Sequence, residues 1–332
     1  MAVRFPQVPF ARALGVGFDM RYGDVHGLVR ADAPGPVSDV MAPRVRAFLD
    51  RERAHFGYAF FSFQPKDRGL LEPADYFPIW DRMLADCPDF GAFALHHTQL
   101  NLASIDERVD RRRLLAFTNA LIDRYDLRWV NEDVGIWSID GKMMPYPLPP
   151  ILTRAGLEAA IRHVSEVTDG LCAPLVLEFP GFSEGTNFFI GTMDAYDFFR
   201  ELAERTGSPV TLDTGHLLSF RWLRGHRGAA LYEELERLPL DHCFEVHLSG
   251  CQIARDRFVD VHNGVIAPQQ LEMLARLLPL CPNLRAVTYE DPKLSPDGML
   301  PDKARAPFAS LAAMARAWCQ AAGGGVDVGI VG

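Results

Sequence analysis

Eight short apolar runs recur along this chain at intervals of roughly 35 to 45 residues, and they limit the folds open to it. They are Ala13–Met20, Tyr58–Phe63, Phe93–Leu102, Arg128–Trp137, Pro174–Phe182, Pro209–Leu218, Cys243–Gly250 and Arg285–Pro292. Each is rich in Val, Leu, Phe or Ile and short, the pattern of a strand buried on both faces of a parallel sheet. The stretches between them carry helical spacing, as in RRRLLAFTNALIDRY (Arg111–Tyr125) and AYDFFRELAERTG (Ala195–Gly207), the second ending on a glycine stop. Eight strand–helix alternations predict an α/β fold, a (β/α)8 TIM barrel, whose chemistry sits on the loops at the carboxyl ends of its strands.

The 332 residues are 48% hydrophobic and 23% charged, enough for a full core. No linker divides them, so one domain over residues 1–332 is expected, its barrel spanning about 13–322 and the glycine-rich tail 323–332 mobile. The amino terminus lacks the apolar core of a signal peptide and no run approaches the ~18 residues that cross a bilayer, which predicts a cytoplasmic protein. Six scattered cysteines without a CxxC pair read as reduced thiols. A net charge of −9 argues against a broad nucleic-acid surface. The compact basic patch RWLRGHRG (Arg221–Gly228) reads as a solvated loop or helix start.

The strand ends carry, in order, His96, Asp133, Glu178, Asp213 with His216, His247, Asp260 with His262, and Glu290. Singly, a histidine there is more often a hydrogen-bonded core residue, and an aspartate a helix cap. Together they resist that explanation. A barrel gathers its strand ends at one rim, where five carboxylates repel one another unless cations neutralise them. Asp260 and His262 stand two apart, which in an extended segment puts both on one face. In LDTGH (Leu212–His216) glycine is expected to let the chain turn between Asp213 and His216. A formal −5 and a ligand set of nitrogen and oxygen suggest two or three divalent ions, with Fe, Mn and Zn all suited.

With these residues in view the chain resembles the multinuclear non-haem iron-dependent oxidative enzymes, the group of methanobactin and thiaglutamate biosynthesis, within the xylose isomerase-like TIM barrels. HHTQLNLAS (His96–Ser104) resembles their HGxxLSLG-type motif and WVNEDVGIW (Trp129–Trp137) their V-S-E-H-L-x-W. PYPLPP (Pro145–Pro150) resembles their Leu-Pro-rich stretch, and Leu177-Glu178 the glutamate after the fifth strand. EVHLSG (Glu245–Gly250), VDVH (Val259–His262) and YED (Tyr289–Asp291) resemble E-I-H-L-A-G, I-D-T-H and E-W-D. Asp213-Thr214-Gly215-His216 is also similar to the D-T-C-H of the three-zinc endonuclease IV barrel. There are departures: Asp133 and His216 stand where the family has histidine and asparagine, and Phe179 and Cys251 where it has asparagine and histidine.

The resemblance implies three ion sites: Glu178, Asp213, His247 and Glu290; His96, Asp133 and shared Glu178; and His216, Asp260 and His262. Glu178, Asp133 and His216 are singled out as carrying the chemistry. It further implies an iron- and dioxygen-dependent oxidase that modifies a residue of a ribosomally made peptide, often cysteine, helped by a separate small protein that presents the leader. The loop MMPYPLPP (Met143–Pro150) is expected to be stiff and to lie over the rim. A three-metal phosphodiesterase of the endonuclease IV type would need a basic groove, which the net charge of −9 disfavours. A sugar isomerase or epimerase leaves the third site without a purpose. A non-enzymatic metal binder would not need so many ligands at one rim.

Overall fold

A computed structural model describes residues 2–19, 37–63, 90–106, 109–183 and 188–321, with a few positions between 72 and 84. Eight parallel strands close into a barrel: β1 Ala13–Asp19, β2 Tyr58–Phe63, β3 Ala92–His97, β4 Leu127–Asp133, β5 Leu175–Glu178, β6 Val210–Asp213, β7 Cys243–Leu248 and β8 Ala286–Glu290. Each pairs with its neighbours in sequence, and β1 closes the ring by pairing Gly17 with Glu290 on β8. The strands map onto the eight apolar runs because each is covered on both faces.

Seven described helices lie between or after the strands: α1 Val37–Glu52, α2 Arg112–Tyr125, α3 Arg154–Gly170, α4 Ala195–Thr206, α5 Thr214–Leu223, α6 Pro268–Leu280 and α7 Asp302–Gln320. Their local signals are chemical. Asp194 caps α4 by accepting from Tyr196 N, and Gly207 ends it in the left-handed region at φ 67°. The tail 323–332 and Cys87 lie outside the described residues.

Inside the barrel, Tyr58, Phe60, Trp129, Val176 and Phe244 pack with alanines 13, 92, 94 and 286. β1 makes the room: a Cβ on Gly17 would stand 2.2 Å from the Phe60 ring. The lumen is therefore a packed core and not a pore. A larger apolar shell, including Leu95, Val130, Leu177 and Leu212, faces the helices.

Two antiparallel hairpins, beside a short parallel pairing of Ile151–Leu152 with Ile190–Gly191, are added to the barrel. Ile136–Ile139 pairs antiparallel with Lys142–Leu148 in the β4–α3 connection, and Cys251–Ala254 with Arg257–Asp260 in the β7–α6 connection. The first corrects the expectation of a stiff loop at MMPYPLPP. Proline is tolerated there because the strand belongs to a two-stranded sheet and needs donors on one side only.

Candidate metal centre

Six of the nine singled-out side chains stand at the carboxyl ends of six successive strands: His96 on β3, Asp133 on β4, Glu178 on β5, Asp213 on β6, His247 on β7 and Glu290 on β8. His216 follows in the first turn of α5, and Asp260 and His262 come from the second hairpin. All are buried except His262, which is half-buried. Their ligand atoms fall into overlapping groups whose members lie within 4.8 Å of one another: His96, Asp133 and Glu178; Glu178, Asp213, His247 and Glu290; His96, His247 and Glu290; and His216, Asp260 and His262.

Glu178 joins the groups. Its Oε2 is 3.0 Å from His96 Nε2 and its Oε1 3.2 Å from His247 Nδ1, so one carboxylate faces two imidazoles with two different oxygens. Asn131 on β4 donates to Oε2 as well, while its own Oδ1 accepts from Thr211 Oγ1 at 2.7 Å. Below them Phe60 forms the floor, its ring centroid 5.5 Å from that of His96 and 5.2 Å from that of His247.

Local structure divides the remaining atoms between scaffold and site. Asp213 caps α5 by accepting from His216 N at 2.8 Å through Oδ1, and its buried Oδ2 has no hydrogen-bond partner. His216 Nδ1 lies 2.7 Å from the Phe179 carbonyl, which as an acceptor places the proton on Nδ1 and leaves Nε2 to face Asp260 Oδ2 at 3.5 Å. Ser249 Oγ donates to Asp260 Oδ1 at 2.7 Å. His96 Nδ1 is a second buried atom without a partner. Native interiors rarely leave such atoms unsatisfied, and a cation is one remedy.

Two sequence expectations need correction. The glycine of LDTGH does not turn the chain, since α5 starts at Thr214 immediately after β6. Its role is space: a Cβ on Gly215 would sit 2.6 Å from Asp260 Oδ2 and 2.7 Å from Cys251 Sγ. Nor does an extended segment bring Asp260 and His262 together. Asp260 ends its strand and His262 has φ 43°, so a left-handed backbone swings the imidazole back until Nε2 is 3.7 Å from Asp260 Oδ1.

The electrostatics are those of a site short of positive charge. Burial pushes Asp213 up to about 7, and the nearby Asp260, Glu178 and Glu290 add to it against His216. Burial also raises Glu290. Burial opposes the charged form of Glu178 too, but His247 and His96 hold it well below the usual range. Burial would lower His96, yet Glu178, Glu290 and Asp133 lift it to about 9, and Glu178 with Glu245 raises His247. Without an ion, protons supply the missing charge. A divalent cation bound here would displace them.

Sequence reading overlooked Asn131 and Glu245. Both face inward two residues before a site residue, Asn131 before Asp133 and Glu245 before His247, and that period-two relation was the available signal. Elsewhere, the basic patch is partly neutralised: Arg221 is buried, donating to Glu234 and the Ala230 carbonyl, and Arg227 lies near Asp256 and over the Trp222 ring. Cys172, Cys243, Cys251, Cys281 and Cys319 are free thiols.

A family model described as RiPP precursor modification enzyme MbnB/TglH/ChrH matches residues 78–300, a span that contains all nine of the strand-end and hairpin positions from His96 to Glu290. The chain belongs to this family. A ribosomal precursor peptide is therefore its class of substrate. Among curated proteins, a UPF0276 protein of Caulobacter vibrioides is 28% identical over 222 residues, covering 67% of this chain and 74% of the relative. Another, from Bordetella pertussis, is 26% identical over 287 residues, covering 83% and 94%. Of solved structures, a xylose isomerase domain protein from Planctomyces limnophilus superposes with TM-score 0.52 at 11% identity, covering 94% of this chain and 99% of that one. The fold is thus a xylose isomerase-like TIM barrel. Among the described residues no helix is long and apolar enough to cross a membrane.

Proposed function

We propose that this family member is a multinuclear non-haem iron oxidase that uses dioxygen to modify a residue, cysteine or one near the carboxyl terminus, of a ribosomally made peptide. The observation that carries the reading is Glu178, which offers one oxygen to the His96 side and the other to the His247 side of a buried centre. The fit to ions rests on the donor set: four imidazoles, five carboxylates, and a buried Asp213 Oδ2 that no hydrogen bond satisfies.

Two or three ions are assigned. Glu178, Asp213, His247 and Glu290 hold one; His96 and Asp133 share Glu178 for a second; His216, Asp260 and His262 hold a third. Nitrogen and oxygen donors without a thiolate suit iron, and also zinc or manganese. Iron so held supplies one-electron chemistry with dioxygen and open positions for a substrate heteroatom. The chain's own part is to orient and to exclude water. Asn131 fixes the Glu178 carboxylate, the Phe179 carbonyl fixes the His216 tautomer, and Phe60 closes the floor.

An anionic peptide group, thiolate or carboxylate, is drawn to the cationic centre although the protein carries −9 overall. A separate small protein presents the leader, and the enzyme works in the cytoplasm as one domain over residues 1–332. Anaerobic purification, metal analysis and Mössbauer spectroscopy, followed by peptide-dependent oxygen uptake, test the reading. A protein loaded only with zinc and inert to dioxygen would overturn it.

A further inference from the structure

Beneath the centre a charged side chain is buried in the apolar lumen with no part in the three ion sites. Glu245 stands on β7 among Tyr58, Trp129 and Phe244 and is fully buried. Placing a carboxylate there costs several kcal/mol unless it is well paired. Three neutral donors from three other strands hold it: Tyr58 Oη at 2.9 Å and Thr288 Oγ1 at 2.6 Å on Oε1, and Trp129 Nε1 at 2.9 Å on Oε2. An apolar residue would fill the same space without that desolvation.

Its one neighbour in the metal centre explains it. His247 Nε2 lies 3.3 Å from Glu245 Oε1, within ion-pair reach though off the line of a hydrogen bond, while Nδ1 of the same ring points the other way, 3.2 Å from Glu178 Oε1 and 3.6 Å from Glu290 Oε2. The two nitrogens thus face a lumen acceptor and the candidate ion position respectively. We infer that Glu245 is a positioning residue, which keeps the proton of His247 on Nε2 and so presents a bare Nδ1 to the ion shared with Glu178, Asp213 and Glu290. Tyr58, Thr288 and Trp129 act one step further out by fixing the carboxylate. Carboxylates of this kind set the tautomer and ring orientation of a ligating histidine and raise its basicity, and their loss commonly weakens metal binding by about 10- to 100-fold.

The inference rests on the proposed ion sites, though not on iron, dioxygen or peptide. It is tested with metal alone. Metal-free native protein and Glu245→Gln are titrated with Co(II), followed by its visible spectrum, and with Zn(II) against a competing chelator. The expected result is one ion weakened about 10- to 100-fold in Glu245→Gln, with the ion of His216, Asp260 and His262 unchanged. Tyr58→Phe, which removes one of the three donors and keeps the ring, weakens the same ion less. A histidine 15N spectrum of the zinc-loaded native protein needs no variant and reads the tautomer directly: Nε2 of His247 carries the proton and Nδ1 the metal-bound shift. Metal bound through Nε2 overturns the inference even if Glu245→Gln fails to fold. Equal affinities in both proteins overturn it while leaving the ion sites standing, whereas no uptake by the native chain overturns both.

Discussion

Replacing Glu178 by Gln keeps the shape of the side chain and removes the charge that two ion positions share. The magnitude follows from the geometry. Each oxygen of Glu178 faces a different imidazole, at 3.0 and 3.2 Å, so on the proposed reading each would serve a different ion. Structural zinc sites of four donors bind with about 10 to 16 kcal/mol at neutral pH, or roughly 3 kcal/mol per donor, which sets the scale for one donor here. A neutral amide gives neither ion the charge of a carboxylate oxygen. About two orders of magnitude in affinity should therefore be lost for each of two ions, since 1.4 kcal/mol is a factor of ten. The assay is metal content after equilibration at a fixed, chelator-buffered free-metal concentration, read beside circular dichroism to show that the barrel is intact. The expected result is loss of both Glu178-bound ions and retention of the one at His216, Asp260 and His262. If folded Glu178→Gln kept its full metal content, or lost one ion alone, Glu178 would not be a bridge and the shared-carboxylate reasoning would fail.

Three further outcomes are expected. Asp133→His exchanges an anionic donor for a neutral one beside His96 and Glu178, so the metal count should hold; a drop by one ion refutes the expectation that histidine can stand in for the carboxylate at this position. Gly215→Ala forces a methyl group to 2.6 Å from Asp260 Oδ2, which should cost about 1–3 kcal/mol in thermal unfolding and empty the third group, while an unchanged melting temperature and metal count contradicts the packing described. His163, whose Nδ1 lies 3.2 Å from Arg111 Nη1, is lowered to about 4 by burial and by the Arg111 charge. Its folded value lies below its unfolded one. Its contribution to stability is thus complete above about pH 6.5 and is lost as the pH falls toward 4, at up to about 1.4 kcal/mol per unit, less where solvent screens it. Denaturant unfolding of native protein and His163→Gln should converge by about 1–2 kcal/mol over that range, and parallel curves speak against it.

The barrel was legible because its strands are buried on both faces, which writes each as an unbroken apolar run such as PLVLEF or CFEVHL. Proximity of the strand-end residues followed from the closure of the ring, since β1 pairs with β8 and no strand end is far from the rest. That these side chains hold ions is the proposed reading. Glu245 and Asn131 escaped notice for a physical reason: an apolar run that contains one polar residue reads the same whether that residue faces the lumen or a helix, and only the register shows Trp129 and Thr288 turned toward Glu245. The hairpin at Lys142–Leu148 was hidden by its prolines, which count against a strand in any window but not at an edge. At His262 the left-handed backbone reaches by a turn what alternation in a strand was expected to supply.

The Phe60 plug gives the centre a direction. With that ring under His96 and His247, and Tyr58, Trp129 and Phe244 stacked behind it, the barrel is stoppered from below. Among the described residues the packed lumen offers no way through from that end, so ions and reactants would reach the proposed centre from the carboxyl-end rim. A bulky guest seated at that rim would shut in whatever arrived before it, so small molecules would load first and depart last, an order set by one phenylalanine and by the missing methyl group on Gly17 that admits it.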